Sequence, residues 1–360
     1  MVADVDRDEM VGLLRELVEL ESPTGRTRAM ADRMSEQLER LGGEVREAGE
    51  HVVADFAGEG PSLLLLGHLD TVWDVGTLGR LPWRVEDGRA YGPGVYDMKG
   101  GLVIALAALA AATPGRRAVR FVLNADEEVG SPTGREVIAE AADGAAAAFV
   151  VEPPLPNGGL KTARKGLGRF RFTVRGKAAH AGTNLEDGSS AVEELAHQIL
   201  RLHRLNDPAR GISVNVGIVR GGTRENVVAE VAEADVDVRL ARSADLVELE
   251  RALEDTRPQV PGAEVTVTGR WTRPPLERTP GSARLFDKAR EHGRAIGLEL
   301  VEGASGGGSD ANLVAPLGLP VLDGLGAEGA GAHSVDEHVL VAALPLRARL
   351  LAALLRDPGL

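Results

Sequence analysis

Two histidines and five carboxylates in this chain have the types and surroundings that metal or acid–base chemistry needs: His68, His333, Asp70, Asp97, Glu127, Glu128 and Glu152. The chain has no cysteine, so thiolate nucleophiles, disulfides and Cys-ligated zinc are excluded, and any metal falls to imidazole and carboxylate. His68 and Asp70 stand in Gly67-His68-Leu69-Asp70-Thr71-Val72. In extended backbone an i, i+2 pair shares a face, so the Asp70 carboxylate can accept the imidazole N–H that a metal does not use. Asp97 follows a Gly- and Pro-rich turn and precedes an apolar helix pattern; alone it is an N-cap. Asp126-Glu127-Glu128 puts three successive anions at the mouth of an apolar strand, where they repel one another unless cations are present. Alone that triplet is a solvated acidic turn, and Glu152 before Pro153-Pro154 or His333 in Gly331-Ala332-His333-Ser334 means little in isolation.

The conjunction carries the signal. His68, Asp97, Glu128, Glu152 and His333 all fall at the C-terminal ends of expected strands or in the turns just after, the edge where open α/β sheets build their sites. Two histidines and three carboxylates suit two Zn2+ ions, with Co2+ or Mn2+ as possible substitutes: Asp97 bridging, His68 with Glu152 on one ion, Glu128 with His333 on the other. Two divalent cations against three carboxylates leave one charge for a further anion. Glu127, beside a ligand but not itself assigned to metal, is available as a general base.

The elements that must hold these residues can be read from periodicity. Apolar positions at three- and four-residue spacing predict helices over 6–20 and 28–41, and Gly42-Gly43 ends the second. Strands are expected at 51–57 and 62–67, the latter apolar on both faces as in a covered sheet. Helix 99–112, strand 118–124, helix 132–142 and strand 146–151 alternate, which implies βαβ units and a largely parallel sheet. From 164 to 274 the pattern changes to alternating strands (169–175, 212–219, 227–239, 264–271) around two amphipathic helices (189–205, 244–257), an α+β module with an open-faced sheet. Helix 282–296, strand 298–302, a helix from Asp310, strand 320–323 and helix 341–355 then resume the α/β pattern. Residues 1–163 and 275–360 thus form one α/β domain, split by the inserted module 164–274.

Composition narrows the function classes. Lys plus Arg number 41 and Asp plus Glu 54, a formal charge of −13 that repels phosphate backbones and anionic membranes, and aromatics at 3% offer few stacking platforms. No nucleic-acid or membrane partner is expected. The longest wholly apolar stretch runs only from Leu102 to Ala112, against roughly 20 residues for a membrane span. The stretch from Met1 to Leu14 is acidic where a secretory signal is basic, so a cytoplasmic location is expected.

On these residues the chain resembles the dinuclear zinc peptidase family that includes glutamate carboxypeptidase, acetylornithine deacetylase, succinyl-diaminopimelate desuccinylase and aminoacylase. The likeness rests on Gly67–Val72, Asp97-Met98-Lys99-Gly100-Gly101, Asp126-Glu127-Glu128, Gly176–Gly182 with His180, Gly221-Gly222-Thr223 with Asn226, and Asp237-Val238-Arg239. Gly306-Gly307-Gly308-Ser309-Asp310 followed by His333-Ser334 is most similar to the glutamate carboxypeptidase branch. The resemblance implies a three-layer α/β catalytic domain with an inserted α+β, ferredoxin-like, dimerisation or lid domain. It implies the five metal ligands assigned above, Glu127 as base, Asp70 as the carboxylate orienting His68, and a non-proline cis peptide after Asp97. It further implies a homodimer through 164–274 in which His180 helps hold the tetrahedral oxyanion in the partner's site. Asn226, Arg239, the Gly308 N–H and, by a short Arg-Pro match, Arg273 are implied to bind the terminal carboxylate of a peptide or N-acyl amino acid.

The expected reaction is hydrolysis of an amide next to a free carboxylate, as in release of a C-terminal Glu or similar residue. An N-acyl-amino-acid deacylase or a dipeptidase would use the same metal chemistry. An inactive binding protein on this fold should have lost a ligand or Glu127, and this chain retains them. A flavodoxin-like nucleotide binder is excluded, since Gly67-His68-Leu69-Asp70 puts a carboxylate where phosphate must sit.

Overall fold

In the computed structural model, which describes residues 5–360, the chain divides into two compact units. The first four residues of the acidic N-terminal stretch lie outside the described residues. One unit runs through Ala163 and resumes over Arg278–Ser305 and Ser309–Leu360; the other is Arg164–Glu277 with Gly306–Gly308. The second unit therefore ends three residues later than expected and takes in three glycines from the returning chain. Leu276 pairs with Arg164 in both directions, and Arg164 Nη1 donates to the Gly307 and Gly308 carbonyls at 3.2 and 3.1 Å.

The first unit opens with helices α1 (Arg7–Glu19) and α2 (Arg28–Arg40), strands β1 (Glu44–Ala48), β2 (His51–Phe56) and β3 (Glu59–His68), and a small hairpin, β4 (Arg84–Glu86) and β5 (Arg89–Tyr91). Helix α3 (Gly100–Ala111), β6 (Arg117–Asn124), α4 (Gly134–Ala142), β7 (Ala147–Val150) and β8 (Leu160–Arg164) follow. The second unit carries β9 (Gly166–Arg175), α5 (Ala191–His203), β10 (Ser213–Gly221), β11 (Val231–Leu240), α6 (Leu246–Glu254) and β12 (Glu264–Arg273). The chain returns through α7 (Pro280–Ala295), β13 (Glu302–Ser305), α8 (Ala311–Val314), β14 (Val321–Leu322), β15 (Gly329–Ala330), β16 (His338–Leu340) and α9 (Leu344–Leu355).

The sheet that positions the carboxylates has the order β1-β2-β6-β3-β7-β14. β6, β3, β7 and β14 are parallel, whereas β1 and β2 form an antiparallel edge, so the largely parallel sheet is mixed at one side. β3 is central because Leu63 to Leu66 are all buried, as a strand covered on both faces requires. The chain crosses from β3 to β6 on one side and then to β7 on the other, which makes the end of β3 a topological switch point, where such sheets open a crevice.

Helix α3 is apolar all round and nearly all buried, as a helix enclosed in the core must be. It lies so close to the end of β7 that a Cβ on Gly101 would come within 1.9 Å of the Val151 carbonyl oxygen. Helix α1 is N-capped by Asp6, whose side chain accepts from the amides of Asp8 and Glu9, and buries Met10, Leu14, Leu17 and Val18 at helical spacing.

In the second unit the succession β9-α5-β10-β11-α6-β12 folds into an antiparallel sheet of order β10-β11-β9-β12, a βαββαβ arrangement of ferredoxin-like type. Leu195 and Leu202 of α5 and Leu249 and Leu253 of α6 are buried with Phe172, Val174, Ala234 and Val236, leaving the opposite sheet face open. A groove of about 530 Å³ on that open face is lined by Arg169, Arg171, Asp235 and Asp237.

The strand expected at 298–302 lies instead at Glu302–Ser305: the left-handed Gly297 (φ 82°) ends α7, Leu298 N donates back to Gly293 O, and 298–301 run as irregular chain before the strand begins. β1, the β4–β5 hairpin, β8, β15 and β16 have no counterpart in the periodicity reading. Among the described residues no helix is long and apolar enough to cross a membrane.

Candidate metal centre

Three adjacent parallel strands deliver the first ligands to one edge. β3 ends at His68, in register with Asn124 of β6; the chain beyond β6 turns at once through Glu127 and Glu128; β7 ends two residues before Glu152. The turn 126–134 is held from inside. Asp126 accepts from the amides of Thr133 and Gly134 at 2.8 and 3.2 Å, and Asp310 accepts from Asn124 Nδ2 and Ser131 Oγ at 2.7 and 2.5 Å. Asp97 sits in a wide helical turn ahead of α3, closed by Lys99 N donating to Gly94 O, and the Asp97–Met98 peptide is cis. His333 comes from the loop between β15 and β16 and adopts φ 62°, a left-handed conformation that costs a non-glycine residue on the order of 1 kcal/mol and that its surroundings must enforce.

All these side chains meet. His68 Nε2 is 3.2 Å from Asp97 Oδ1 and 3.7 Å from Glu152 Oε1; His333 Nε2 is 3.4 Å from Asp97 Oδ2 and 3.5 Å from Glu128 Oε2. Asp97 therefore turns one oxygen to each histidine. One donor atom each from His68, Asp97 and Glu128 lie within 4.8 Å of one another. Glu128 Oε1 is buried and has no hydrogen-bond partner among the described residues, a state that costs about 1–3 kcal/mol unless something else, such as a cation, satisfies it. The donor set and this orphaned oxygen fit hard or borderline divalent cations.

Asp70 departs from the expected geometry. His68 Nδ1 points at the Asp70 backbone carbonyl at 2.8 Å, while the carboxylate Oδ1 is farther away at 3.4 Å. The Asp70 carboxylate instead accepts from the amides of Glu127 and Glu128, both at 3.1 Å, and from Thr24 Oγ1 at 2.7 Å. Spacing had put Asp70 beside the imidazole; it could not show the backbone amides that the acidic turn brings to it. Either contact leaves the proton on Nδ1 and turns the Nε2 lone pair toward Asp97 and Glu152.

The electrostatics of the cluster are those of a cation site. Burial opposes charge on His68, yet the carboxylates of Asp70, Asp97 and Glu127 outweigh it and hold its pKa well above the ordinary value. Asp97 and Glu128 push His333 up to about 10. Burial works against ionisation of Asp97, and His333 and His68 overcome it, so its carboxyl stays below the usual range. Burial followed by the charges of Asp97 and Glu152 pushes the Tyr96 hydroxyl up to about 12. A divalent ion entering here displaces the imidazole protons, so its affinity falls as pH falls.

The remaining candidates belong to the second unit. His180 Nδ1 accepts from Gly182 N at 3.1 Å, which leaves the proton on Nε2, and the ring is exposed. The backbone beside it pairs with Asn226, whose carbonyl accepts from Ala181 N at 3.0 Å. Arg239 is held by the Asp237 carboxylate through Nε and Nη2 at 2.7 and 3.1 Å and by the Gly306 carbonyl through Nη1 at 2.9 Å. Arg273 is buried, and a Cβ on Gly308 would meet its Cδ at 2.8 Å. Arg164, Thr24 and Glu337 carry no signal in the sequence, and Asp310 reads there only as a helix start and part of the Gly306–Asp310 motif; their partners are backbone groups or side chains far along the chain, which no local spacing signals.

Known proteins bear on this geometry. The family described as peptidase family M20/M25/M40 matches residues 64–357. The chain is 33% identical to carboxypeptidase G2 of Pseudomonas sp. (strain RS-16), over 98% of this chain and 90% of that one. It is 28% identical to succinyl-diaminopimelate desuccinylase of Corynebacterium glutamicum, over 91% and 90%. Its fold superposes on the solved structure of a tripeptidase from Staphylococcus aureus with a TM-score of 0.86 at 23% identity, covering 98% of this chain and 99% of that one.

Proposed function

The chain belongs to peptidase family M20/M25/M40, a family of metallopeptidases and amidohydrolases, and from that premise we propose that it is a dinuclear metal carboxypeptidase cleaving an amide next to a free carboxylate. One observation carries the reading: the two oxygens of Asp97 face two different histidines, each with its own second carboxylate, Glu152 by His68 and Glu128 by His333. Two Zn2+ ions per chain, with Co2+ or Mn2+ as substitutes, would be held by His68, Asp97 and Glu152 on one side and by Asp97, Glu128 and His333 on the other. When bound, such cations polarise a carbonyl and acidify water. Glu127 takes a proton from the attacking water at its carboxylate; water oxygen bonds to the carbonyl carbon, the C–N bond breaks, and Glu127 returns the proton to the leaving nitrogen. Asp70 fixes the amides of Glu127 and Glu128 and so the base relative to its neighbour ligand.

Arg239, pre-oriented by Asp237, is the group for the substrate's terminal carboxylate, with Asn226, the Gly308 N–H and Arg273 as further contacts. A panel with Zn2+ or Co2+ tests the reading. It sets peptides ending in free Glu, Asp or neutral residues against the same peptides amidated at the C-terminus, and against N-acyl amino acids and dipeptides. The expected result is turnover of the free-carboxylate peptides and loss of at least tenfold in kcat/KM on amidation, about 1.4 kcal/mol. Preferred turnover of N-acyl amino acids would make the protein a deacylase, and indifference to amidation would remove the carboxylate-binding role.

The second unit serves as a lid and homodimer module of a cytoplasmic enzyme, and its His180 offers Nε2–H to the oxyanion in the partner's site. Mixing inactive Glu127→Gln and His180→Ala subunits is expected to restore activity to about one quarter of wild type. Half of randomly exchanged dimers are mixed, and one of two sites in each is whole. No recovery would remove the cross-subunit role.

A further inference from the structure

Glu337 is 3% exposed, and its carboxylate accepts four N–H groups. Oε2 accepts from Trp73 Nε1 at 2.8 Å and Gly94 N at 3.0 Å; Oε1 accepts from Tyr96 N at 2.9 Å and Asp97 N at 3.1 Å. Val95 N in the wide turn ahead of α3 donates to Gly92 O, whereas the amides of Gly94, Tyr96 and Asp97 are capped by Glu337 from another segment. Glu337 also stands four residues beyond His333, joined to it by a turn in which Ser334 N donates to Gly331 O and Glu337 N to Ser334 O. One buried carboxylate thus ties the segment after β3, the turn of Asp97 and the loop of His333.

The ligands differ in how else they are held. His68 ends a central strand and donates to the Asp70 carbonyl; Glu128 has its amide on Asp70; Glu152 follows β7, against which α3 is packed. His333 has no strand or helix of its own, is half-exposed, and keeps a left-handed backbone. We propose that Glu337 is a positioning residue for one of the two ions: by fixing the Asp97 backbone relative to the His333 loop it sets the separation of the donors that Asp97, Glu128 and His333 present, and with it the affinity for the ion they share. The inference rests on the ligand set proposed above.

Co2+ titration followed by visible absorption and calorimetry tests it, on wild type, Glu337→Gln and Trp73→Phe. The Gln side chain keeps the volume but turns an NH2 toward two of the four N–H donors, so the turn and the loop part. The expected result is a first Co2+ bound within threefold of wild type and a second bound about 10–100-fold more weakly, with a changed visible spectrum for that ion alone. Trp73→Phe, which removes one donor of four, keeps both. If Glu337→Gln does not fold, Glu337→Asp, one methylene shorter, carries the same expectation of a second ion weakened at least tenfold. Wild-type affinities for both ions in the variant, or equal weakening of both, would overturn the proposal. Fewer than two Co2+ on wild type would instead sink the ligand set itself, and this inference with it.

Discussion

Glu127→Gln is expected to lower kcat by about 10²–10⁴-fold, some 3–5 kcal/mol of transition-state stabilisation, while leaving two ions bound and the thermal midpoint within a few degrees of wild type. The physical ground is the division of labour along three consecutive carboxylates. Asp126 is committed to the amides of Thr133 and Gly134, and Glu128 faces His333. Glu127, whose amide is pinned on Asp70, lies close enough to His68 for its charge to favour the imidazolium. Gln has the same reach but cannot carry a proton between water and the leaving amine. The acid limb of the kcat/KM profile should vanish with the activity, since that limb reports the base in its ionised form. Activity within threefold of wild type at unchanged metal content would remove Glu127 from the proton transfer.

How far this centre can be read from the chain depends on what each residue contacts. His68, Asp97, Glu128, Glu152 and His333 are legible as a group because each closes a strand or turn among small residues, and parallel strands bring such ends to one edge. The alternation of α3, β6, α4 and β7 is legible for the same reason: long apolar runs of one period leave little choice. The hairpin at 84–91 and the strands at 329–330 and 338–340 are two or three residues each and mostly exposed, so no periodicity marks them. Asp70 shows the intermediate case. Its spacing from His68 is informative, but its oxygens go to amides more than fifty residues away. Glu337 is the extreme: an acidic residue in Ser334-Val335-Asp336-Glu337 looks like a solvated turn, and only the fold reveals four N–H groups converging on it.

Asp97→Asn is the substitution expected to remove both ions at once. Among the described residues Asp97 alone presents an oxygen to both of these histidines, Oδ1 to His68 and Oδ2 to His333, and Asn keeps one oxygen and replaces the other with a donor that repels a cation. The backbone should hold, because the Asp97 amide remains on Glu337 and Asn is nearly isosteric. Metal analysis after gel filtration in Zn2+ is expected to give two ions per chain for wild type and fewer than one for Asp97→Asn, with turnover below detection. Glu152→Gln, at the carboxylate that faces His68, should keep the other ion. The same asymmetry shows in stability. A bound ion at a thousandfold excess over its Kd adds about 4 kcal/mol, so chelation should lower the wild-type thermal midpoint by several degrees and leave that of Asp97→Asn where it was. If Asp97→Asn retained two ions and responded to chelator as wild type does, the bridging assignment would fail and the two histidines would have to bind metal independently.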